Sequence, residues 1–136
     1  MHAILLQNPV LVEKLTAVLG RFDELQAILV STAEGVPLLK VAHDEQQAAT
    51  FEYAETVLPT VFAGAAEQIG KLKFGVVQSI TSFFGSLVLV HINHLPLVIT
   101  LISSNSASVG ALQTVGLQLR DALAPLKKCV DSADVH

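Results

Sequence analysis

The segment Leu97–Ile102 constrains the fold most, because every side chain in it except that of Thr100 is apolar. Successive side chains of a strand point to opposite faces of the sheet, so both faces of this segment are apolar. A strand of this kind lies at the centre of a sheet whose two faces are both covered by helices. The sequence therefore predicts an α/β domain with a central, fully buried strand.

Four further strands are predicted from apolar runs that are separated by turn residues. Ala33-Glu34-Gly35 contains the glycine that supplies the positive φ of a tight hairpin. Gly85-Ser86 and Asn93-His94 are predicted to form the turns of two later hairpins. The predicted strands are Leu25–Thr32, Val36–Ala42, about Val76–Phe84, Leu87–Asn93 and Leu97–Ser103.

Helices are predicted where apolar residues recur at intervals of three and four. Gly20 is the expected terminator of the first helix. Pro59 is expected in the first turn of the second, since a proline inside a helix costs roughly 3 kcal/mol. Pro125 is expected to kink or divide the last helix. The predicted helices begin at Asn8-Pro9, lie within Phe51–Lys71, and run from Val109 to Val130.

The predicted element order is α-β-β-α-β-β-β-α, in a single domain of residues 1–136 with residues 1–7 as a short N-terminal extension. Apolar residues make up 51% of the chain and charged residues 15%, whereas roughly 25% charged is typical of soluble domains. So few charges leave little polar material for the surface. We therefore expect a sizeable apolar face to be buried against a partner. The alternative is a very apolar monomer with a surface rich in Ser, Thr and Gln.

Several classes of protein are disfavoured. The net charge of −4 and the scattered lysines, of which only Lys71/Lys73 and Lys127/Lys128 are close together, predict no nucleic-acid binding. The single cysteine, Cys129, excludes an internal disulfide and fits a reducing compartment such as the cytosol. The apolar stretch Phe83–Ile102 has His91, Asn93, His94 and Pro96 near its middle, which a spanning helix would bury in lipid. The N-terminus lacks the basic region of a signal peptide, so membrane association is expected to be indirect.

No catalytic, cofactor or metal site is predicted. His91 and His94 are three residues apart in a strand, which turns their imidazoles to opposite faces. Gly64–Lys71 resembles a phosphate loop, but its spacer is one residue too long and Leu72 follows the lysine. An enzyme that uses His91, His94 or Cys129 remains as the rival hypothesis, although no motif surrounds these residues.

Three segments of the chain resemble the roadblock/dynein light chain family. The first is the hairpin Leu25–Ser31 with Glu34–Ala42, and the second is Gln68-Ile69-Gly70-Lys71-Leu72. The third is Asn93-His94-Leu95-Pro96-Leu97-Val98-Ile99, continuing through Ile102–Ala107. The third segment is most similar to the roadblock subunits of Ragulator-type complexes that bind MEK. The resemblance covers about residues 22–130, whereas 43–57 matches poorly and His94 stands where an arginine is expected.

The family resemblance implies a three-layer α-β-α domain whose five-stranded, mostly antiparallel sheet lies between the second helix and the first and last helices. It also implies a dimer formed by the third strand and the second helix. On this sequence the implied dimer interface consists of Leu58, Val61, Phe62, Ala65, Ile69, Val76, Val77, Gln78, Ser79, Ile80, Thr81, Ser82 and Phe83.

The resemblance further implies a non-catalytic adaptor. Its expected partners are a second roadblock adaptor in a heterodimer, a lipidated Ragulator anchor subunit, Rag GTPases, and the MEK and ERK kinases. Its expected place is the cytoplasmic face of late endosomes and lysosomes, in mTORC1 and MAPK signalling. A roadblock homodimer that regulates a small GTPase or serves as a dynein light chain is the alternative.

Overall fold

The computed structural model describes residues 9–43, 51–105 and 107–134. The predicted start of the first helix at Asn8, the extension 1–7 and residues 44–50 of the poorly matching segment therefore lie outside the described residues. In chain order the elements are α1 (Pro9–Arg21), β1 (Leu25–Thr32), β2 (Pro37–Ala42), α2 (Glu52–Thr56), α3 (Leu58–Gly70), β3 (Ser79–Phe83), β4 (Leu87–His94), β5 (Leu97–Ser104), α4 (Val109–Ala122) and α5 (Ala124–Asp134).

The strands form one five-stranded sheet in the order β2-β1-β5-β4-β3. Every neighbouring pair is antiparallel. Strand β5 is the central strand, and all of its residues from Leu97 to Ser103 are buried. The prediction from its two apolar faces is thus confirmed, as are the fold class and the order of the elements.

One face of the sheet packs against α1, α4 and α5. The core on this side joins leucines of α1 to alternate residues of the central strands and to the apolar sides of α4 and α5. Its members include Leu15, Ile28, Val90, Ile92, Leu97, Ile99, Leu101, Leu119, Leu123 and Leu126. The opposite face carries a smaller core under α2 and α3, which includes Ala27, Leu29, Phe51, Ala54, Leu89 and Ile102. The domain therefore has three layers, with most of the apolar burial on one side.

Two turn and helix predictions are confirmed. Gly35 has a φ of +93° in the β1–β2 hairpin, where its amide donates to the carbonyl oxygen of Thr32 at 3.0 Å. The C-terminal helix is divided at Leu123, so that Pro125 lies in the first turn of α5, where the amide that proline lacks is not needed. None of the helices in the described ranges is long and apolar enough to cross a membrane.

Two boundary predictions are wrong. Gly20 does not end α1, because the helix continues to Arg21 and the chain turns at Phe22, whose carbonyl oxygen accepts from the Leu25 amide at 3.2 Å. Val36 stays outside β2, which begins at Pro37. The prediction for the second helix is confirmed, because Pro59 lies in the first turn of α3, and the short helix α2 precedes it within the predicted range.

The prediction of the β4–β5 turn is also wrong. Asn93 and His94 belong to β4, and the turn is made by Leu95 and Pro96, which are joined by a cis peptide bond. The side chain of Asn93 organises this end of the sheet. Its Oδ1 accepts from the Leu95 amide at 3.1 Å, and its Nδ2 donates to the carbonyl oxygen of Val77 at 2.7 Å. In the second bond the carbonyl oxygen of Val77 accepts from a side chain and not from the backbone of β4. Strand β3 accordingly begins at Ser79 and not at Val76.

Candidate dimerisation surface

The two edges of the sheet differ in how well they are protected. Strand β2 begins with Pro37 and carries Lys40, and prolines and lysines are the residues that block pairing with a further strand. Strand β3, at the other edge, contains neither proline nor a charged residue. It is therefore the edge that is open to another strand.

The hydrogen bonds at the two ends of β3 fix which backbone groups face outward. The Phe84 amide donates to the carbonyl oxygen of Leu87 at 2.8 Å, and the Asn93 amide donates to that of Gln78 at 2.9 Å. In an antiparallel pair, residues bonded to the neighbouring strand alternate with residues whose backbone groups point away. Gln78 and Phe84 are bonded to β4, so the residues between them whose backbone groups point away from β4 are Ser79, Thr81 and Phe83. These three residues direct their N–H and C=O groups to the outer edge.

Helix α3 lies beside this edge and is held on the sheet through Phe62. The Phe62 side chain is buried and stacks on His91 of β4, with ring centroids 6.0 Å apart and an interplanar angle of 23°. His91 pairs across the strands with Ile80 of β3, so Ile80 lies on the same face of the sheet as α3. The helix and the side chain of Ile80 therefore lie on the same face of the sheet.

The β1–β2 hairpin holds the start of α3. A Cβ atom on Gly35 would lie within 2.4 Å of the carbonyl oxygen of Thr56, so only glycine allows this approach. The Ser31 hydroxyl donates to the carbonyl oxygen of Glu55 at 3.1 Å. The Lys40 ammonium donates to the Glu55 carboxylate at 3.0 Å. These contacts fix the α2–α3 junction and hence the direction in which α3 runs towards β3.

Large apolar side chains are exposed along the outer side of α3, the α3–β3 loop and β3. The exposed fraction is 58% for Val61, 90% for Phe74, 74% for Val76, 69% for Phe83 and 55% for Phe84. Ile69 and Leu72 are exposed between them. Burying such side chains is favourable by roughly 25 cal/mol per Å² of apolar surface. Several exposed large apolar side chains near an open strand edge are typical of a protein–protein contact surface.

The structure places the predicted interface residues in three groups. The exposed ones are Val61, Ile69, Val76, Gln78 and Phe83, and the half-buried ones are Leu58, Ala65, Val77, Ser79, Ile80, Thr81 and Ser82. Phe62 differs from both groups, because its side chain is buried against His91 inside the chain. It supports α3 from below and does not form part of the outer surface.

Sequence reasoning missed Leu72, Phe74 and Phe84, which extend the exposed apolar surface at both ends. These residues follow no helical or strand periodicity, because they lie in the α3–β3 loop and at the β3–β4 turn. The signal available in the sequence was an aromatic residue beside a turn glycine, at Phe74-Gly75 and at Phe84-Gly85. Gly75 has a φ of +109°, so the loop turns sharply there and leaves Phe74 in solvent.

The histidines do not assemble a site. His91 lies on the α3 side of β4, whereas His94 lies at the other face, near Lys127 and Arg120. Burial lowers the pKa of His91 to about 4, so the ring is neutral at physiological pH. Burial, together with the positive charges of Lys127 and Arg120, lowers the pKa of His94 as well. In the part of the chain that the structure describes, no three His, Cys, Asp or Glu residues are grouped to hold a metal ion.

Comparison with known proteins places the chain in a family. Residues 11–130 match the family described as "Mitogen-activated protein kinase kinase 1 interacting". The chain is 34% identical over 122 residues to "Ragulator complex protein LAMTOR3" of Xenopus tropicalis, covering 89% of this chain and 92% of that protein. It is 35% identical over 122 residues to the protein of the same name from Homo sapiens, again covering 89% and 92%.

Solved structures show the same fold at low sequence identity. The Roadblock/LC7 domain from Streptomyces avermitilis superposes with a TM-score of 0.68 at 12% identity, covering 86% of this chain and 94% of that one. The structure described as "MglB with tetrameric arrangement" gives a TM-score of 0.67 at 16% identity, covering 91% and 95%. The fold is thus a roadblock fold, and the match over residues 11–130 shows that this chain belongs to the mitogen-activated protein kinase kinase 1 interacting family.

Proposed function

We propose that this chain is a non-catalytic adaptor subunit of a Ragulator-type complex, in which it forms a heterodimer with a second roadblock protein. The observation that carries this proposal is the exposed apolar surface of α3 and β3 beside an unprotected strand edge. In the proposed dimer, Ser79, Thr81 and Phe83 bond through their outward backbone groups to the edge strand of the partner. Val61 and Ile69 of α3 pack against the partner's corresponding helix.

The relatives support the kind of complex. Proteins from frog and human that share about a third of their residues with this chain are named as Ragulator complex proteins. We infer that this chain meets a lipidated anchor subunit on the cytoplasmic face of late endosomes and lysosomes. There it supports Rag GTPases in signalling to mTORC1, and it scaffolds MEK and ERK, in keeping with the description of its family.

The absence of an enzymatic role is part of the proposal. His91 and His94 face different sides of the sheet, and Cys129 is exposed on α5 with no neighbouring motif. An adaptor needs only surfaces, and the most apolar exposed surface of the described residues is the one on α3 and β3.

The experiment that tests this proposal is affinity purification of the tagged chain from its native cells, followed by mass spectrometry. We expect a second roadblock protein, a lipidated anchor subunit and Rag GTPases to be recovered. Recovery of dynein chains, or of this chain alone, would contradict the proposal and favour the homodimer.

A pair of matched variants connects that result to the surface. Val61→Asp places a charge on the outer side of α3, and we expect it to abolish recovery of the roadblock partner. Leu117→Asp makes the same kind of change at an exposed position of α4, on the other side of the sheet, and should leave recovery unchanged. Equal recovery with both variants would show that the partner binds elsewhere.

A further inference from the structure

An open groove of about 660 Å³ lies at the end of the proposed interface, beside the residues that lead into β3. Its apolar wall consists of Ala63, Ala66 and Gly70 of α3 together with Val76, Val77 and Leu95. The three positions on α3 carry no side chain larger than a methyl group, so the groove is wide at this point. It is large enough to receive an aromatic ring.

The geometry of strand pairing determines what reaches this groove. Two antiparallel edge strands run in opposite directions, so the end of the partner's β3 lies beside the beginning of this chain's β3. When Thr81 of this chain pairs with the equivalent residue of the partner's β3, the partner residue equivalent to Phe84 lies opposite Gln78 of this chain. Val77 is the next residue, about 3.4 Å away along the strand. The β3–β4 turn of the partner therefore arrives at the groove.

The groove and the side chain at the position of Phe84 also lie on the same face of the sheet. Side chains alternate along a strand, and Ile80 points to the α3 side, so Phe84 belongs to the α3 side and Phe83 to the other. A two-fold axis perpendicular to the sheet relates the paired edge strands, and it keeps both α3 helices on the same side. An aromatic side chain at the position of Phe84 thus enters the layer in which the groove lies.

Phe84 is the side chain that this chain offers in return. It is more than half exposed, and its backbone is fixed by the bond from its amide to Leu87. An exposed aromatic side chain on a fixed backbone has few rotatable bonds to immobilise when it is buried, which is the property of an anchoring residue.

We propose that the roadblock pair is locked by mutual insertion: Phe84 enters the partner's groove, and the groove beside Ala66 and Val77 receives an apolar side chain from the partner's β3–β4 turn. This inference rests on the proposed function, since it assumes a roadblock partner that pairs through β3. It names the contact that holds the two edge strands in one register.

The test compares two neighbouring phenylalanines in the tagged chain, purified from its native cells with its roadblock partner. Phe84→Ser is expected to lower the recovery of the partner roughly tenfold, because it removes the inserted ring. Phe83→Ser is the matched control. Phe83 is more exposed, but its side chain points away from the groove, so its loss is expected to lower recovery less than about threefold.

A second pair of variants fills the groove instead of removing the ring. Ala66→Trp places an indole in the groove and is expected to lower recovery roughly tenfold. Ala111→Trp makes the same change at an exposed position of α4 and should have no effect. The urea midpoint of each purified variant shows that it has folded, and Phe84→Ser tests the inference at an exposed residue if Ala66→Trp does not fold.

The outcomes separate the two hypotheses. If the unmodified chain recovers no roadblock protein, the proposed function is contradicted, and the groove inference with it. If the unmodified chain recovers the partner and Phe84→Ser and Phe83→Ser reduce recovery equally, only the insertion is overturned. A larger loss with Phe84→Ser, accompanied by a loss with Ala66→Trp, is the expected result.

Discussion

The two faces of the sheet are built differently. On the side of α1, α4 and α5, a large core of leucine, isoleucine and valine side chains is buried beneath three helices. On the side of α3, the core is small, it includes the polar side chains of His91 and Thr100, and the outer side of the helix is apolar and exposed. The first arrangement stabilises the folded chain, whereas the second leaves apolar surface available to another molecule. On the proposed function, stability and recognition are assigned to opposite faces.

Removing a side chain from the larger core is the most direct test of this difference between the faces. Leu101 of β5 is fully buried on the side of α4, so Leu101→Ala is expected to lower the free energy of unfolding by about 3 kcal/mol, through lost burial and a residual cavity. Val61→Ala on the outer side of α3 should change it by less than about 0.5 kcal/mol. Urea denaturation measures both, and similar losses would contradict the division between the faces.

The smaller core should respond to pH. The folded state lowers the pKa of His91 from 6.5 to about 4, so it binds fewer protons than the unfolded state between these values. The contribution of neutral His91 to stability is therefore complete above about pH 6.5 and is lost as the pH falls towards 4. The loss is on the order of 3 kcal/mol.

His91→Leu removes this titration and places an apolar side chain of similar size against Phe62. Urea denaturation of both proteins between pH 7 and pH 4 should show a steeper loss in the unmodified chain, because the two proteins differ only in the titration of His91. Parallel curves for the two proteins would mean that His91 is not held neutral by its surroundings.

Glycines on the two faces offer a finer comparison. Gly116 of α4 lies directly on β4, and a Cβ atom there would be 2.4 Å from Cγ1 of Ile92. Gly116→Ala should therefore push α4 from the sheet and lower the free energy of unfolding by about 1–3 kcal/mol. Thermal denaturation provides the measurement, and an unchanged melting temperature would show that this helix is not packed as closely as the structure indicates.

The smallest effect is expected at Gly64 of α3, where a Cβ atom would meet no atom within 4 Å. Alanine is a better helix former than glycine, so Gly64→Ala should raise the free energy of unfolding by about 0.5–1 kcal/mol. The same denaturation experiment measures it. A loss of stability similar to that of Gly116→Ala would contradict the view that α3 presents an open outer side.

A structural feature could be predicted from the sequence when the residues that determine it lie close together in the chain. The central position of Leu97–Ile102 follows from the residues themselves, because an apolar strand with two apolar faces has few alternatives. The turn at Gly35 follows from the conformational freedom of glycine. The start of β3 cannot be predicted from its own residues. It depends on Asn93, 16 residues further along the chain, whose side chain donates a hydrogen bond to the carbonyl oxygen of Val77.

The candidate surface was predictable as a region but not residue by residue. Val61 and Phe62 are adjacent apolar residues of one helix, and the spacing of the neighbouring residues does not decide which of them faces the sheet. The structure decides it through the stack of Phe62 on His91, which a sequence pattern cannot show. Phe74 and Phe84 lie in turns, where no periodicity exists to indicate which way a side chain points.

The exposed surface of α3 and β3 has a consequence for the life of the protein before it is assembled. A newly made copy that has not met a partner displays aromatic and aliphatic side chains of the kind that chaperones and proteases recognise. In the proposed heterodimer these side chains are hidden, so a surplus of either subunit over the other is expected to be removed while the paired copies persist. The surface proposed to join the two subunits would thereby also keep their amounts equal in the cell.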